Sequence, residues 1–129
     1  RIVFELSPLR IKVDDREQLV RVFYCNPPPP DDDAQTATAK RGFLLLSHPW
    51  FEERKKEGIY PNPMSKRKVL CFFSLWNQCV GQLMQQYKPH IYHCPDFHTC
   101  IAPWYALQNA DPMEPVELRM LLVLHNAES

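Results

Sequence analysis

Short apolar runs with partial alternation of hydrophobic and polar positions occupy the beginning of the chain. They are RIVFEL at 1–6, LRIKV at 9–13 and LVRVFYC at 19–25. Alternation with a period of two is typical of strands with one buried face, so the pattern predicts two or three strands. Turns are predicted at Ser7–Pro8 and Asp14–Asp15, where turn-forming residues separate the runs.

Two further elements and one loop are predicted in the middle of the chain. GFLLLSH at 42–48 is a candidate buried strand, and PWFEERKKEG at 49–58 predicts one or two helical turns ended by glycine. Residues 26–40, NPPPPDDDAQTATAK, combine four prolines with three aspartates. Because proline donates no backbone hydrogen bond and the aspartates repel each other, this segment is predicted to be a Pro/Asp-rich loop.

The clearest predicted element is a helix that begins near Lys66. Hydrophobic residues recur there at steps of three and four, which gives one wide apolar face. They are Val69, Phe72, Phe73, Trp76, Val80, Leu83, Met84 and Tyr87. Ser65 is a candidate N-cap. Lys88–Pro89 is predicted to end the helix, because a residue that precedes proline disfavours the helical conformation.

The C-terminal part of the chain predicts a strand, a helix and a second strand. HIYH at 90–93 is a short strand, residues 97–107 have a helical pattern, and RMLLVLH at 119–125 is a continuous apolar run. Pro103 must kink this helix or displace its start. A continuous apolar run is typical of a strand buried on both faces of a parallel sheet. The expected fold class is therefore α/β, with a mostly parallel sheet and flanking helices.

Composition is that of a globular domain. The chain has 129 residues, 45% of them hydrophobic and 23% charged, which is enough to bury a core. Fifteen basic residues balance fifteen acidic ones, so a sequence-independent nucleic-acid partner is not expected. The five cysteines lack regular spacing, which indicates reduced thiols in a cytosol-facing protein. No apolar run approaches the roughly 20 residues that a bilayer span needs.

Polar residues follow both predicted C-terminal strands. Asp96 and His98 come after the first strand, and His125 and Asn126 come at the end of the second. In a parallel sheet, ligands bind in the crevice outside the carboxyl ends of the strands, so we expect these four side chains to converge. The alternatives are a plain helix cap for Asp96 and a structural histidine for His98.

A small zinc-binding interaction module is the second hypothesis for the same region. Its possible ligands are His93, Cys94, His98, Cys100 and His125. Against it, the chain contains no C-x-x-C pair and no H-E-x-x-H helix, and the neighbouring side chains of His93 and Cys94 diverge in a strand. A Cys–His nucleophile pair is also disfavoured, because no orienting group and no oxyanion motif accompany it.

Several stretches together resemble one enzyme family. PHIYHCPDFHTCIAPWYAL at 89–107, an apolar strand and LHNAE at 124–128 resemble the N-terminal catalytic lobe of the starch and glycogen synthase family, glycosyltransferase family 5. SHPWFEERKKEGIYPNP at 47–63 and FFSLWNQCVG at 72–81 are most similar to the synthase domain of fungal cell-wall α-1,3-glucan synthases. The resemblance covers residues 43–128.

The resemblance implies a fold and a reaction. Residues 1–129 are expected to be a fragment of the N-terminal lobe of a two-lobed GT-B enzyme, with a partial Rossmann-like fold. The implied reaction is a retaining transfer of glucose from UDP-glucose or ADP-glucose to a growing α-glucan, with no metal. The missing C-terminal lobe of the same parent chain is the implied partner, so the fragment is expected to be inactive alone. The site is expected to face the cytosol, with the parent anchored in the plasma membrane.

The resemblance also implies residue roles. Asp96 and His125 are the expected catalytic residues, and His98 and Asn126 the expected substrate-binding residues. Asp96 accepts hydrogen bonds from sugar hydroxyls, His125 contacts the donor glucose, and His98 braces its loop. A transferase of the same architecture for another sugar and a non-catalytic glucan-binding remnant are the alternatives.

Overall fold

The structure is a computed structural model that describes residues 2–26, 42–52, 65–113 and 117–124. Its elements in chain order are β1 (Ile2–Val13), β2 (Arg16–Asn26), β3 (Phe43–Ser47), α1 (Pro49–Glu52), α2 (Lys66–Tyr87), β4 (Ile91–Pro95), α3 (Ala102–Gln108) and β5 (Arg119–Val123). A 3-10 turn, Phe97–Thr99, lies between β4 and α3. Apart from Asn26, which ends β2, the predicted Pro/Asp-rich loop lies outside the described residues.

β1 and β2 form an antiparallel hairpin joined by Asp14 and Asp15. Both aspartates have positive φ, 52° and 59° respectively. Two-residue hairpin turns that match the twist of the strands require this conformation, which aspartate tolerates better than most residues. The turn predicted at Ser7–Pro8 is instead a β-bulge within β1, because the pairing register shifts between Leu6 and Leu9 while the strand continues. Proline, which lacks the N–H, is accommodated at such bulges.

The expectation of a mostly parallel sheet needs correction. β1, β2 and β3 form an antiparallel sheet, and only β4 and β5 pair in parallel among the described strands. The physical reason is the length of the connection at Asp14–Asp15, since two residues can join only antiparallel strands. Parallel strands need a longer crossover, which α3 supplies between β4 and β5. The mixed α/β class and the predicted C-terminal β-α-β unit are confirmed.

α2 begins and ends where the sequence predicts. The Oγ of Ser65 accepts a hydrogen bond from the N–H of Lys68, 3.4 Å away, which caps the first turn. Lys88 has a left-handed conformation, and its N–H donates to the carbonyl oxygen of Met84 at 2.8 Å. No helix in the described part of the chain is long and apolar enough to cross a membrane.

Two hydrophobic clusters pack against opposite sides of α2. The larger cluster joins α2 to the antiparallel sheet through Leu9, Ile11, Val13, Val20, Val22, Leu75, Cys79 and Leu83. The smaller cluster joins α2 to α3 through Met84, Ala102 and Ala106. The start of α3 is displaced to Ala102, as the proline in this segment predicts, and Pro103 sits in its first turn, where a missing N–H is tolerated.

The apolar face predicted for α2 is only partly buried. Leu83 and Met84 are buried, whereas Tyr87 is 49% exposed. Several of the predicted residues line an open cavity of about 580 Å³ between α2, α1 and β3. The burial predicted for both faces of β5 is wrong as well, because Leu121 is 54% exposed and Met120 51% exposed. The described residues supply no second layer over this strand.

Candidate active site

The carboxyl ends of β4 and β5 meet at one edge of their parallel sheet. Pro95 of β4 is paired with Val123 of β5. The next residue, Asp96, donates its backbone N–H to the carbonyl oxygen of Val123 at 2.8 Å. The predicted parallel arrangement is therefore confirmed, and Asp96 lies directly beyond the paired strands.

Asp96 has a backbone conformation that is rare for a residue with a side chain. Its φ is 59° and its ψ is 173°. This lies at the border of a region that is essentially restricted to glycine, and such conformations cost on the order of 1–3 kcal/mol. The predicted helix cap is wrong, because the Asp96 side chain makes no capping hydrogen bond to the 3-10 turn. Asp96 thus combines an uncommon backbone conformation with a position at the carboxyl edge of the parallel strands, where open α/β sheets bind ligands.

His98 is held between two phenylalanine rings. Its imidazole stacks on Phe97, with the ring centroids 3.8 Å apart and the planes at 30°. Phe73 of α2 lies on it as well, with a centroid distance of 4.7 Å and an angle of 37°. The carbonyl oxygen of His98 accepts a hydrogen bond from Nδ2 of Asn77 at 2.8 Å. These contacts fix both the ring and the backbone of His98 against α2.

Two hydrogen bonds between Thr99 and β4 close the loop that carries Asp96 and His98. The Oγ1 of Thr99 donates to the carbonyl oxygen of Pro95 at 2.9 Å, and the hydroxyl of Tyr92 donates to the carbonyl oxygen of Thr99 at 2.9 Å. Burial raises the pKa of Tyr92 to about 12, so the hydroxyl keeps the proton it donates at neutral pH. The end of the loop at Thr99 is therefore tied back to β4 through both its side chain and its backbone.

Two buried thiols, Cys94 of β4 and Cys79 on the other side of α2, are poorly suited to nucleophilic chemistry. Burial raises the pKa of Cys94, and the nearby Cys100 raises it further by a smaller amount. Burial likewise raises the pKa of Cys79 on α2 to about 12. Since the thiolate is the nucleophile, a raised pKa leaves these sulfurs protonated and unreactive.

The zinc hypothesis finds no site in the part of the chain that is described. There, no group of three histidine, cysteine or acidic side chains is placed to hold a metal ion. His93 is exposed and Cys94 is completely buried, so these neighbours lie on opposite faces of β4. The predicted divergence of the two side chains is confirmed.

The structure tests the predicted convergence of site residues only in part. Asp96 and His98 lie on one short loop at the sheet edge, whereas His125 and Asn126 lie outside the described residues. Asn77 and Phe73, which hold the loop, were missed from the sequence. The sequence offered little signal for Asn77, because a second amide, Gln78, follows it directly and α2 carries further glutamines at 82, 85 and 86.

Comparison with known proteins defines the class to which this fold and loop belong. The model of the starch synthase catalytic domain family matches residues 10–129. The chain belongs to that family, and the resemblance drawn from the sequence is confirmed.

The relatives share a more specific description. The cell wall α-1,3-glucan synthase mok13 of Schizosaccharomyces pombe is 33% identical over 124 residues, which are 96% of this chain and 4% of that protein. The cell wall α-1,3-glucan synthase ags1 of the same yeast is 29% identical over 124 residues, with the same coverage of 96% and 4%. The chain thus spans about 4% of the length of these relatives. No solved structure matches it.

Proposed function

We propose that this chain forms part of the N-terminal lobe of a retaining, two-lobed glucosyltransferase, which moves glucose from a nucleotide sugar to a growing α-glucan. Membership of the starch synthase catalytic domain family and similarity to cell wall α-1,3-glucan synthases support this proposal. The donor is UDP-glucose if the likeness to the fungal proteins extends to the donor site, and ADP-glucose if the site is of the starch synthase type. The proposed reaction needs no metal and takes place on the cytosolic side of the membrane.

The observation that carries the proposal is the position of Asp96 at the end of the parallel pair. Its N–H binds the Val123 carbonyl oxygen at 2.8 Å, so the residue lies outside the carboxyl ends of two parallel strands. Open α/β sheets bind ligands there. Glucosyl transfer develops positive charge on the sugar ring, and a carboxylate nearby stabilises that charge. In the proposal, Asp96 supplies this carboxylate or accepts hydrogen bonds from sugar hydroxyls.

Three further residues complete the proposed cleft. The clasp of His98 between Phe97 and Phe73 supports a bracing role for this histidine beside the substrate. His125 and Asn126 directly follow Leu124, just past the end of β5, and are proposed to contact the donor glucose. A neutral imidazole both donates and accepts hydrogen bonds, which suits it to sugar hydroxyls. The opposite wall of the cleft belongs to the second lobe, so residues 1–129 alone are expected to show no transfer.

The test is removal of the Asp96 charge in the full-length protein. Asp96→Asn keeps the size of the side chain and tolerates positive φ, and it should lower kcat about 100-fold or more, because one preorganised electrostatic contact is lost. Asp15→Asn is the matched control, since Asp15 has the same φ of 59° in the β1–β2 turn, away from the β4–β5 edge. Transfer of labelled glucose to α-glucan measures both. Equal activity of the two variants would show that the Asp96 carboxylate has no role in the reaction.

The same assay separates the alternatives. Competition among UDP-glucose, ADP-glucose and other nucleotide sugars identifies the donor, and a preference for a different sugar would change the substrate but keep the architecture. Binding of α-glucan by the full-length protein without transfer from any donor would instead support the non-catalytic remnant.

A further inference from the structure

Asn77 is a buried amide in the middle of α2. It is 2% exposed, among apolar neighbours such as Leu75 and Cys79, which are completely buried. Its Nδ2 donates two hydrogen bonds of 2.8 Å, one to the carbonyl oxygen of Phe73 in its own helix and one to the carbonyl oxygen of His98. Its Oδ1 has no hydrogen-bond partner among the described residues.

This arrangement does not serve stability well. A buried polar atom without a partner costs free energy that an apolar side chain of similar size avoids. The bond to Phe73 is internal to α2 and adds nothing that the helix lacks. The contact that only this amide provides is therefore the hydrogen bond to the His98 carbonyl oxygen, 21 residues away in sequence.

The His98 carbonyl lies within the turn that follows the strained Asp96. Phe73 and Asn77 stand one helical turn apart on α2, so the same face of the helix holds the His98 ring and the His98 backbone. A rare conformation such as that of Asp96 persists only where the surroundings over-determine it. The two contacts from α2, together with the Asp96 N–H bond to β5, supply that constraint.

We propose that Asn77 is a positioning residue: its amide clamps the 96–99 turn onto α2 and thereby fixes the direction in which Asp96 faces the substrate. The catalytic part of this proposal rests on the glucosyltransferase function proposed above. The structural part, the clamp on the turn, stands on the distances alone. Asn77 itself touches the turn and acts through Asp96.

Gln85 provides a matched control on the same helix. Its Nε2 donates to the carbonyl oxygen of Ala106 at 2.7 Å, so it also joins α2 to a backbone carbonyl of the C-terminal half. It reaches α3 and not the turn. Asn77→Leu and Gln85→Met each remove one amide and its cross-chain bond while keeping side-chain volume close to that of the original residue.

The experiment uses both variants in the full-length protein and two measurements. Hydrogen exchange, followed by mass spectrometry on the peptide that covers the turn, reports the clamp directly. Asn77→Leu should speed exchange in that peptide about five- to tenfold, the equivalent of one lost hydrogen bond, and Gln85→Met should leave it unchanged. Steady-state kinetics should show kcat falling about tenfold in Asn77→Leu with KM changing much less, since a misplaced group harms the transition state more than binding.

Each outcome bears on a different step. Unchanged exchange at the turn in Asn77→Leu overturns the proposal, whatever the activity. Faster exchange with an unchanged kcat overturns the positioning role. If the unsubstituted protein transfers no glucose at all but Asn77→Leu still loosens the turn, the proposed function fails while the clamp is supported. Asn77→Ala, which removes both donors without adding an ionisable group, repeats the test should the leucine variant fail to fold.

Discussion

The two sides of α2 differ in how completely their apolar residues are covered. On the side of the antiparallel sheet, Val20 and Leu75 are fully buried in the larger cluster, although the end of this side near α1 and β3 lines the open cavity. On the side of α3 and the parallel pair, the buried contact is made by small residues such as Ala102 and Ala106. Beyond it, the apolar side chains of β5 are exposed, with Leu121 at 54%.

This difference follows from how the faces of each kind of sheet are covered by other elements. An antiparallel hairpin with one helix over it can bury its inner face using neighbouring residues. The rest of this sheet is less well covered, since Leu19, Phe43 and Leu45 are 50%, 53% and 45% exposed. A parallel sheet is ordinarily covered on both faces, and the described residues cover the β4–β5 pair incompletely. The candidate site lies on this second, less completely packed side. The larger hydrophobic cluster and the candidate site therefore lie on opposite sides of one helix.

The largest expected effect tests the contrast in burial. Leu75→Ala should destabilise the chain by about 2–5 kcal/mol, because a fully buried leucine leaves both lost contacts and a cavity. Leu121→Ala on β5 should change the free energy of unfolding by only about 0.5 kcal/mol. Urea denaturation of the two variants, with equal slopes, provides the values. Similar losses at both positions would mean that the two sides are packed alike.

A smaller effect is expected where α2 and α3 touch. A Cβ at Gly81 would lie 2.9 Å from Cβ of Tyr105, and 3.1 Å from both the Ala102 oxygen and the Ala106 nitrogen. Overpacking of this kind typically costs about 1–3 kcal/mol, and the better helix propensity of alanine returns about 1 kcal/mol. Gly81→Ala should therefore lower stability by about 1 kcal/mol.

The control for this variant is Gln86→Ala, an exposed position on the same helix. It gains helix propensity without meeting α3, so its stability should be unchanged or slightly higher. If Gly81→Ala proves as stable as this control, the two helices can move apart freely, and the close α2–α3 contact does not constrain this side of the molecule.

Much of the fold could be predicted because its signals are local. The ends of α2 follow from Ser65 and from Lys88–Pro89, and the β-α-β order follows from two apolar runs with a helix between them. The antiparallel sheet was missed although its signal was also local, since a two-residue connection at Asp14–Asp15 permits only a hairpin. The prediction of a mostly parallel sheet failed because it followed the C-terminal β-α-β pattern and not the short connection at Asp14–Asp15.

Burial was harder to predict, because it depends on what lies against each face. Part of the apolar face predicted from the periodicity of α2 lines an open cavity, whereas Asn77 and Gly81, which that face did not include, are buried. The spacing of apolar residues does not show which elements pack against a helix. Because α2 is packed on two sides, residues outside its predicted apolar face are buried as well. Asp96 could be proposed as a site residue from its place after a strand, whereas Asn77, which contacts its turn from α2, could not.

The smallest expected effect concerns acid stability on the antiparallel side. His48, next to β3, is 7% exposed, and its Nδ1 accepts a hydrogen bond from the N–H of Trp50 at 3.2 Å. Burial lowers the pKa of His48 below its usual value of 6.5, and the nearby Glu52 opposes this only in part. The folded chain therefore holds this histidine neutral at a pH where the unfolded chain already protonates it.

The sign of the effect follows from proton linkage. Since the unfolded state binds the proton first, the contribution of His48 to stability is complete above about pH 6.5 and is lost as the pH falls from there through the lower folded pKa. His48→Gln should thus lose less stability than the unsubstituted chain between about pH 7.5 and about pH 5, as measured by urea denaturation. Leu70→Ala, at an exposed position of α2, should keep the original pH dependence. A His48→Gln variant as acid-sensitive as the original would show that water reaches His48, and the antiparallel side would then be less completely packed than its burial indicates.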